Sequence, residues 1–181
     1  MGIFEAENYI DIGNPGLEFN FTNPWIVYYK NSSFKFKTIA GFWGIFKSIP
    51  LGHITVQREN FVNDITKNTL NVNNVVNSNL LVINLNNNNN NNNDTDIAFI
   101  KCLLGIVGET FSTKFMDSLD IYGISYINEK NSKKIILWIS KNVDLQNHKL
   151  DIIPNEIKKV IYDPNIYIDS DIYINDMIIK I

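Results

Sequence analysis

A single arginine, Arg58, and a single cysteine, Cys102, occur in 181 residues, alongside only three alanines and two histidines. One cysteine cannot close an internal disulfide, and the N-terminus carries no charged-then-apolar leader, so a reducing, cytoplasmic setting is expected. His53 and His148 lie far apart with no Cys or His at ligand spacing, so no metal site is expected. No apolar run approaches the ~18 residues that cross a bilayer, which argues against a membrane partner. The chain also lacks a Gly-rich phosphate loop, a Ser or Cys elbow and a helix with paired carboxylates; no catalytic residue, cofactor or enzymatic activity is expected. Met1-Gly2-Ile3-Phe4-Glu5-Ala6 begins like an acylation signal, but Ala6 stands where Ser or Thr is needed.

What is abundant is Ile, Asn and Lys, with 30, 29 and 15 copies. All three are encoded by A/T-rich codons, so the excess reflects a genome as much as a function. A hydrophobic content of 45% with 12% aromatics is that of a folded domain. The net charge of -3 gives no general attraction to nucleic acid, so any RNA site must be local.

Trp25 to Lys30 and Phe34 to Thr38 read as strands, the second alternating apolar and charged residues. The period then changes: Ile39, Phe42, Trp43, Phe46 and Ile49 form the stripe of an amphipathic helix ended by Pro50. His53 to Arg58 reads as a strand, followed by an Asn-rich loop over about 60–79. A strand over Leu80 to Leu85 leads into eight consecutive asparagines, Asn86 to Asn93, which cannot bury apolar area. Asp94-Thr95-Asp96 supplies N-cap chemistry for a helix running to Gly108. Leu119 to Ile127 and Lys134 to Ser140 read as strands of a hairpin turning at Asn128 to Ser132. A third helix is expected from Pro154 to Tyr162, then strands at Ile166 to Ile168 and Met177 to Ile181. The order predicts an α+β domain: a curved antiparallel sheet with about three helices on its convex face and the other face open to a ligand. Residues 1–24 read as an N-terminal extension and 25–181 as one domain.

Three stretches together resemble the eukaryotic translation initiation factor 4E family, the mRNA cap-binding proteins. Ile100-Lys-Cys-Leu-Leu-Gly-Ile-Val-Gly-Glu-Thr-Phe111 is similar to the family's helix ending in a Gly-Glu-Ser-Phe-like sequence. Gly41-Phe42-Trp43 is similar to the opening of its first helix, and Ile135-Ile-Leu-Trp138 to its Ile-Ala-Ile-Trp strand. In that family two Trp rings sandwich the methylated guanine, a Glu reads its edge, a third Trp touches the methyl group, and Arg or Lys side chains hold the phosphates. The charged purine is held by cation–π stacking and charge-assisted hydrogen bonds.

The resemblance implies that Trp138 is the methyl-contacting ring and Lys134 a phosphate contact. Neither stacking Trp has a match; the loop that carries the first is much shorter here and offers only Phe34. Where the family has Trp followed by Glu, this chain reads Arg58-Glu59-Asn60-Phe61-Val62-Asn63-Asp64. A variant pocket would use Phe34 and Phe61 as stackers and Glu59 or Asp64 as the base-reading acid. Glu129 replaces an Arg before the hairpin turn, leaving Lys130 and Lys133 to assist Lys134; with Lys141 they also read as an ordinary solvated hairpin.

The resemblance further implies a scaffold-binding face centred on Trp43 with Ile39, Ile100 and Leu104, onto which an amphipathic helix docks. Lys101 stands where many members have an acid. Taken alone, Trp43 and Trp138 each suit a core position better than an interface. The expected partners are capped mRNA and an initiation scaffold protein, with the chain a monomer or a heterodimer with the scaffold. The alternative is a regulator or competitor that binds the scaffold through Trp43 without recognising the cap. An A/T-rich protist, a microsporidian and a large DNA virus are equally consistent sources of the composition; for a virus, the setting is the host cytoplasm.

Overall fold

The computed structural model describes residues 3–5, 20–59, 78–87, 92–110, 121–129, 132–140, 159, 166–174 and 177–180. In chain order the elements are β1 (Ile3–Glu5), β2 (Asn20–Tyr29), β3 (Ser32–Thr38), α1 (Ile39–Ser48), β4 (Ile54–Arg58) and β5 (Ser78–Asn87). They continue with α2 (Asn92–Val107), β6 (Ile121–Glu129), β7 (Ser132–Ser140), β8 (Ile166–Ile174) and β9 (Met177–Lys180). All nine strands form one sheet in the order β1-β3-β2-β4-β6-β7-β5-β8-β9. Every pairing is antiparallel except β1 with β3, which is parallel. Two strand segments thus extend before Trp25: Ile3–Glu5 joins the sheet edge, and β2 begins at Asn20. The third helix expected over 154–162 lies outside the described residues apart from Lys159, which is helical. No helix among the described residues is long and apolar enough to cross a membrane.

Side-chain alternation divides the sheet into two faces. Trp25 and Val27, Phe36, Ile54 and Val56, Leu81 and Ile83, Ile124 and Tyr126, and Leu137 and Ile139 all point toward α1 and α2. The helices answer with Phe42, Ile45 and Phe46 from α1 and Phe99, Leu103 and Ile106 from α2. Phe46 and Phe99 meet with ring centres 6.4 Å apart, which sets the two helices beside one another. Phe99 stacks on Tyr126 at 4.7 Å and 10°, joining α2 to β6.

The helix ends follow from local chemistry. Thr38 caps α1, its Oγ1 accepting the Gly41 N–H at 2.9 Å. At the end of α2 the Thr110 N–H reaches the Gly105 carbonyl at 3.0 Å and the Glu109 N–H reaches Ile106 at 3.1 Å. With Glu109 at φ 53°, this is a left-handed C-terminal cap in which glutamate occupies the position that normally favours glycine. Its side chain offsets the strain by tying α2 to β2: Asn23 Nδ2 donates to Glu109 Oε1 at 2.8 Å.

Candidate functional site

On the face away from the helices, one row of paired residues crosses six strands. It runs from Lys35 on β3 through Ile26, Gln57, Gly123 and Trp138 to Leu80 on β5. A bulge in β6 between Ile121 and Gly123 brings Gly123 into this row, opposite Trp138. The Trp138 ring lies directly over Gly123: a Cβ there would sit 2.9 Å from Trp138 Cε3 and 3.0 Å from the Val56 carbonyl. Trp138 is 2% exposed and packs in a small second cluster with Leu80, Val82 and Ile136.

Apart from Ile26 on β2 and Ile127 on β6, which packs against that cluster, the remainder of this face on β2, β3, β4 and β6 carries mainly polar residues. Thr55 and Ser125 share a hydrogen bond at 3.0 Å, and Gln57 Nε2 donates to the Tyr28 hydroxyl at 3.1 Å. Burial raises the Tyr28 phenol above its ordinary value, with the Gln57 bond acting in the opposite direction. Gln57 itself is 3% exposed, and its Oε1 meets no donor among the described residues. Glu59, just past β4, accepts from Lys35 Nζ at 2.9 Å.

The sequence-expected pocket residues are therefore distributed unequally. Lys134 is half-buried on β7 and alternates onto the same face as Ile136 and Trp138. Glu59 shares that face through its ion pair with Lys35. Phe34 is not brought to it: β3 pairs back onto β2 through a tight turn at Lys30–Asn31, and strand parity then turns Phe34 toward the helix-side core. Lys133 likewise points to the helix side, where its Nζ donates to Thr95 Oγ1 at 2.8 Å. Phe61, Asp64, Lys130 and Lys141 lie outside the described residues.

The helix face is better assembled. The apolar stripe of α1 divides, with Phe42, Ile45 and Phe46 turned inward while Ile39 and Trp43 are left 41% and 38% exposed. The Trp43 ring is braced edge-on by Phe42 at 5.0 Å. Ile100 and Leu104 on α2 are partly buried against the main core, and Ile97, one turn earlier, is 49% exposed. Among the residues whose side chains are described, the large exposed apolar ones, Ile39, Trp43 and Ile97, all lie on these two helices, which makes their outer surface a candidate for partner contact.

Two residues escaped the sequence reading. Gln57 gave no signal, because its neighbours come from strands distant in the chain. Tyr126 is the other: its hydroxyl donates to Asp96 Oδ1 at 2.6 Å and lies 3.3 Å from Thr95 Oγ1, joining β6 to the first turns of α2. Burial, with the Asp96 carboxylate adding to it, raises its phenol well above the ordinary tyrosine range.

No protein-family model matches the sequence. The uncharacterized protein L529 of Acanthamoeba polyphaga mimivirus is 39% identical over 145 residues, which is 80% of this chain and 79% of that protein. Among solved structures, Ascaris suum initiation factor 4E-3 with m7G cap superposes with a TM-score of 0.63 at 16% identity, covering 91% of this chain and 96% of that one. Initiation factor 4E-3 of C. elegans with the 4E-binding protein Mextli gives 0.60 at 17% identity, covering 90% and 100%. Schistosome initiation factor 4E complexed with m7GpppG and 4E-BP gives 0.59 at 14% identity, covering 86% and 90%. The chain belongs to the same family as mimivirus L529, and its fold is that of eukaryotic initiation factor 4E.

Proposed function

We propose that the protein binds the methylguanosine cap of mRNA on the helix-free face of its sheet, beside Trp138 and Lys134, and recruits an initiation scaffold through Trp43. It would act as a binding protein without enzymatic activity, in the cytoplasm, or in the host cytoplasm if its source is viral. The observation that carries the reading is the fold, shared over nearly the whole chain with initiation factors 4E solved with cap and with 4E-binding proteins. Supporting it, Trp138 and Lys134 lie on one face, Gln57 in the same row holds a buried Oε1 that meets no donor among the described residues, and Trp43 projects from the other side. Glu59, Phe61 and Asp64 remain the candidates for the acid and the stacking ring. Of the lysines, Lys134 shares the face of Trp138, whereas Lys133 is engaged at Thr95.

Retention on a methylated-cap resin and release by free cap analogue test this reading. A chain that passes through the resin unretained contradicts cap binding. A panel of caps with different methylation then establishes specificity, since a pocket without the paired Trp rings has different walls.

A second reading follows from the burial of Trp138 and the inward turn of Phe34. The protein would then engage the scaffold through Trp43 alone and regulate or compete with a cap-binding factor. In that case Trp43→Ala removes scaffold pull-down while cap resin retains neither form.

A further inference from the structure

The outer surfaces of α1 and α2 carry apolar residues and lysines, but no acid at any exposed position. Ile39, Trp43 and Lys47 follow one another at intervals of four along α1, and Ile97 and Lys101 do the same on α2. All five are exposed, and Phe46 of α1 meets Phe99 of α2 beneath them with ring centres 6.4 Å apart, so the two helices cover neighbouring parts of the same core. The acids of α2, Asp94 and Asp96, are half-buried in its first turns, and Asp96 is occupied by Tyr126 and Asn128.

We infer that the segment docking here is an amphipathic helix whose apolar seam covers Trp43, Ile39 and Ile97 and whose flanks carry carboxylates facing Lys47 and Lys101. The inference rests on the reading of Trp43 as a docking site and specifies the chemistry of its partner. An exposed apolar patch on a helical surface is what an amphipathic helix covers with its i, i+3, i+4 residues. Flanking charges then select among helices of equal apolarity: opposite charges steer and orient the partner, and like charges reject it. A surface that is cationic and apolar within an acidic chain also disfavours self-association through charge identical on both copies.

The test uses the full chain and two fluorescently labelled synthetic helical peptides with the same Leu seam, one flanked by Glu and the other by Lys. Anisotropy should show the Glu peptide bound roughly fivefold or more tightly at low salt, as two exposed ion pairs allow. Raising salt from about 0.05 to about 0.5 M should close that gap by screening. The double variant Lys47→Glu, Lys101→Glu should reverse the preference, and Trp43→Ala should weaken both peptides. Equal or tighter binding of the Lys peptide, with Trp43→Ala still weakening both, overturns the charge inference and leaves the docking site standing. Failure of both peptides to bind, or binding insensitive to Trp43→Ala, overturns the docking site and the inference with it.

Discussion

The guanidinium carbon of Arg58 lies 5.4 Å from the centre of the Trp25 ring. Both side chains are on the helix side of the sheet, where β4 pairs with β2, and Trp25 is completely buried. The one arginine of the chain is thus engaged against β2 on the helix side, and under the cap-binding reading any phosphate contact on the opposite face falls to lysine. Arg58→Ala should lower stability by about 1–2 kcal/mol, the range for a desolvated cation–π pair. Chemical denaturation measures this, and a cap-analogue titration should change little. Strongly weakened cap binding with unchanged stability would place Arg58 at the ligand instead.

Gly123 makes room for Trp138. Gly123→Ala places a methyl group within about 3 Å of the indole and of the Val56 carbonyl, and the carbonyl, being backbone, yields least. The ring must move, at a cost of roughly 1–3 kcal/mol. Under the cap-binding reading, affinity for a cap analogue should fall as well, because the buried ring that shapes this part of the face is displaced. Fluorescence of a variant lacking Trp43 follows the displacement of Trp138 against the deeply buried Trp25.

Tyr126 should give the protein a characteristic alkaline limit. Its phenol titrates near 10 when unfolded and higher when folded, because burial and Asp96 both oppose the phenolate. The folded state therefore keeps its proton longer. The resulting stability is complete below pH 10 and is lost as pH rises past it. Tyr126→Phe should flatten this decline above pH 10. At neutral pH it should cost about 1–3 kcal/mol for the lost charge-assisted bond. A variant with the same alkaline slope as the parent would remove Tyr126 from the explanation.

Cys102 faces the core from α2, and burial pushes its thiol up to about 12. A thiol of that kind carries almost no thiolate near neutrality. Thiol reagents should therefore leave the native protein unmodified and react stoichiometrically once it is denatured. Rapid labelling of the native form would mean that α2 opens readily from the sheet.

Much of the fold was legible because its signals are local. The α1 stripe and Pro50, the acidic Asp94 in the first turn of α2 and the alternation of β3 each describe one element through its own residues, although α2 begins at Asn92, two residues before the expected start. The site depended on relations between elements. Phe34 stands at the start of an expected strand, near the tip of a shortened loop, and its use as a stacker fails once the Lys30–Asn31 turn fixes its parity, which sends the ring to the core. The alignment of Gln57, Gly123 and Trp138 is set by a bulge in β6 that no periodicity announces. Ile3–Glu5 is too short to show a period, and its pairing with β3 is long-range. Trp43 illustrates the same limit: the stripe located the helix, while its exposure follows from how many apolar residues the sheet can cover.

The most direct test of cap binding is a calorimetric titration of the full chain with methylated guanosine triphosphate and, separately, with unmethylated guanosine triphosphate. Saturable binding of the methylated ligand is expected, at least tenfold tighter than the unmethylated one and weakened by both Trp138→Ala and Lys134→Ala; the methyl group's positive charge and cation–π stacking supply that difference. Equal binding of the two nucleotides, or no heat from either, would contradict it.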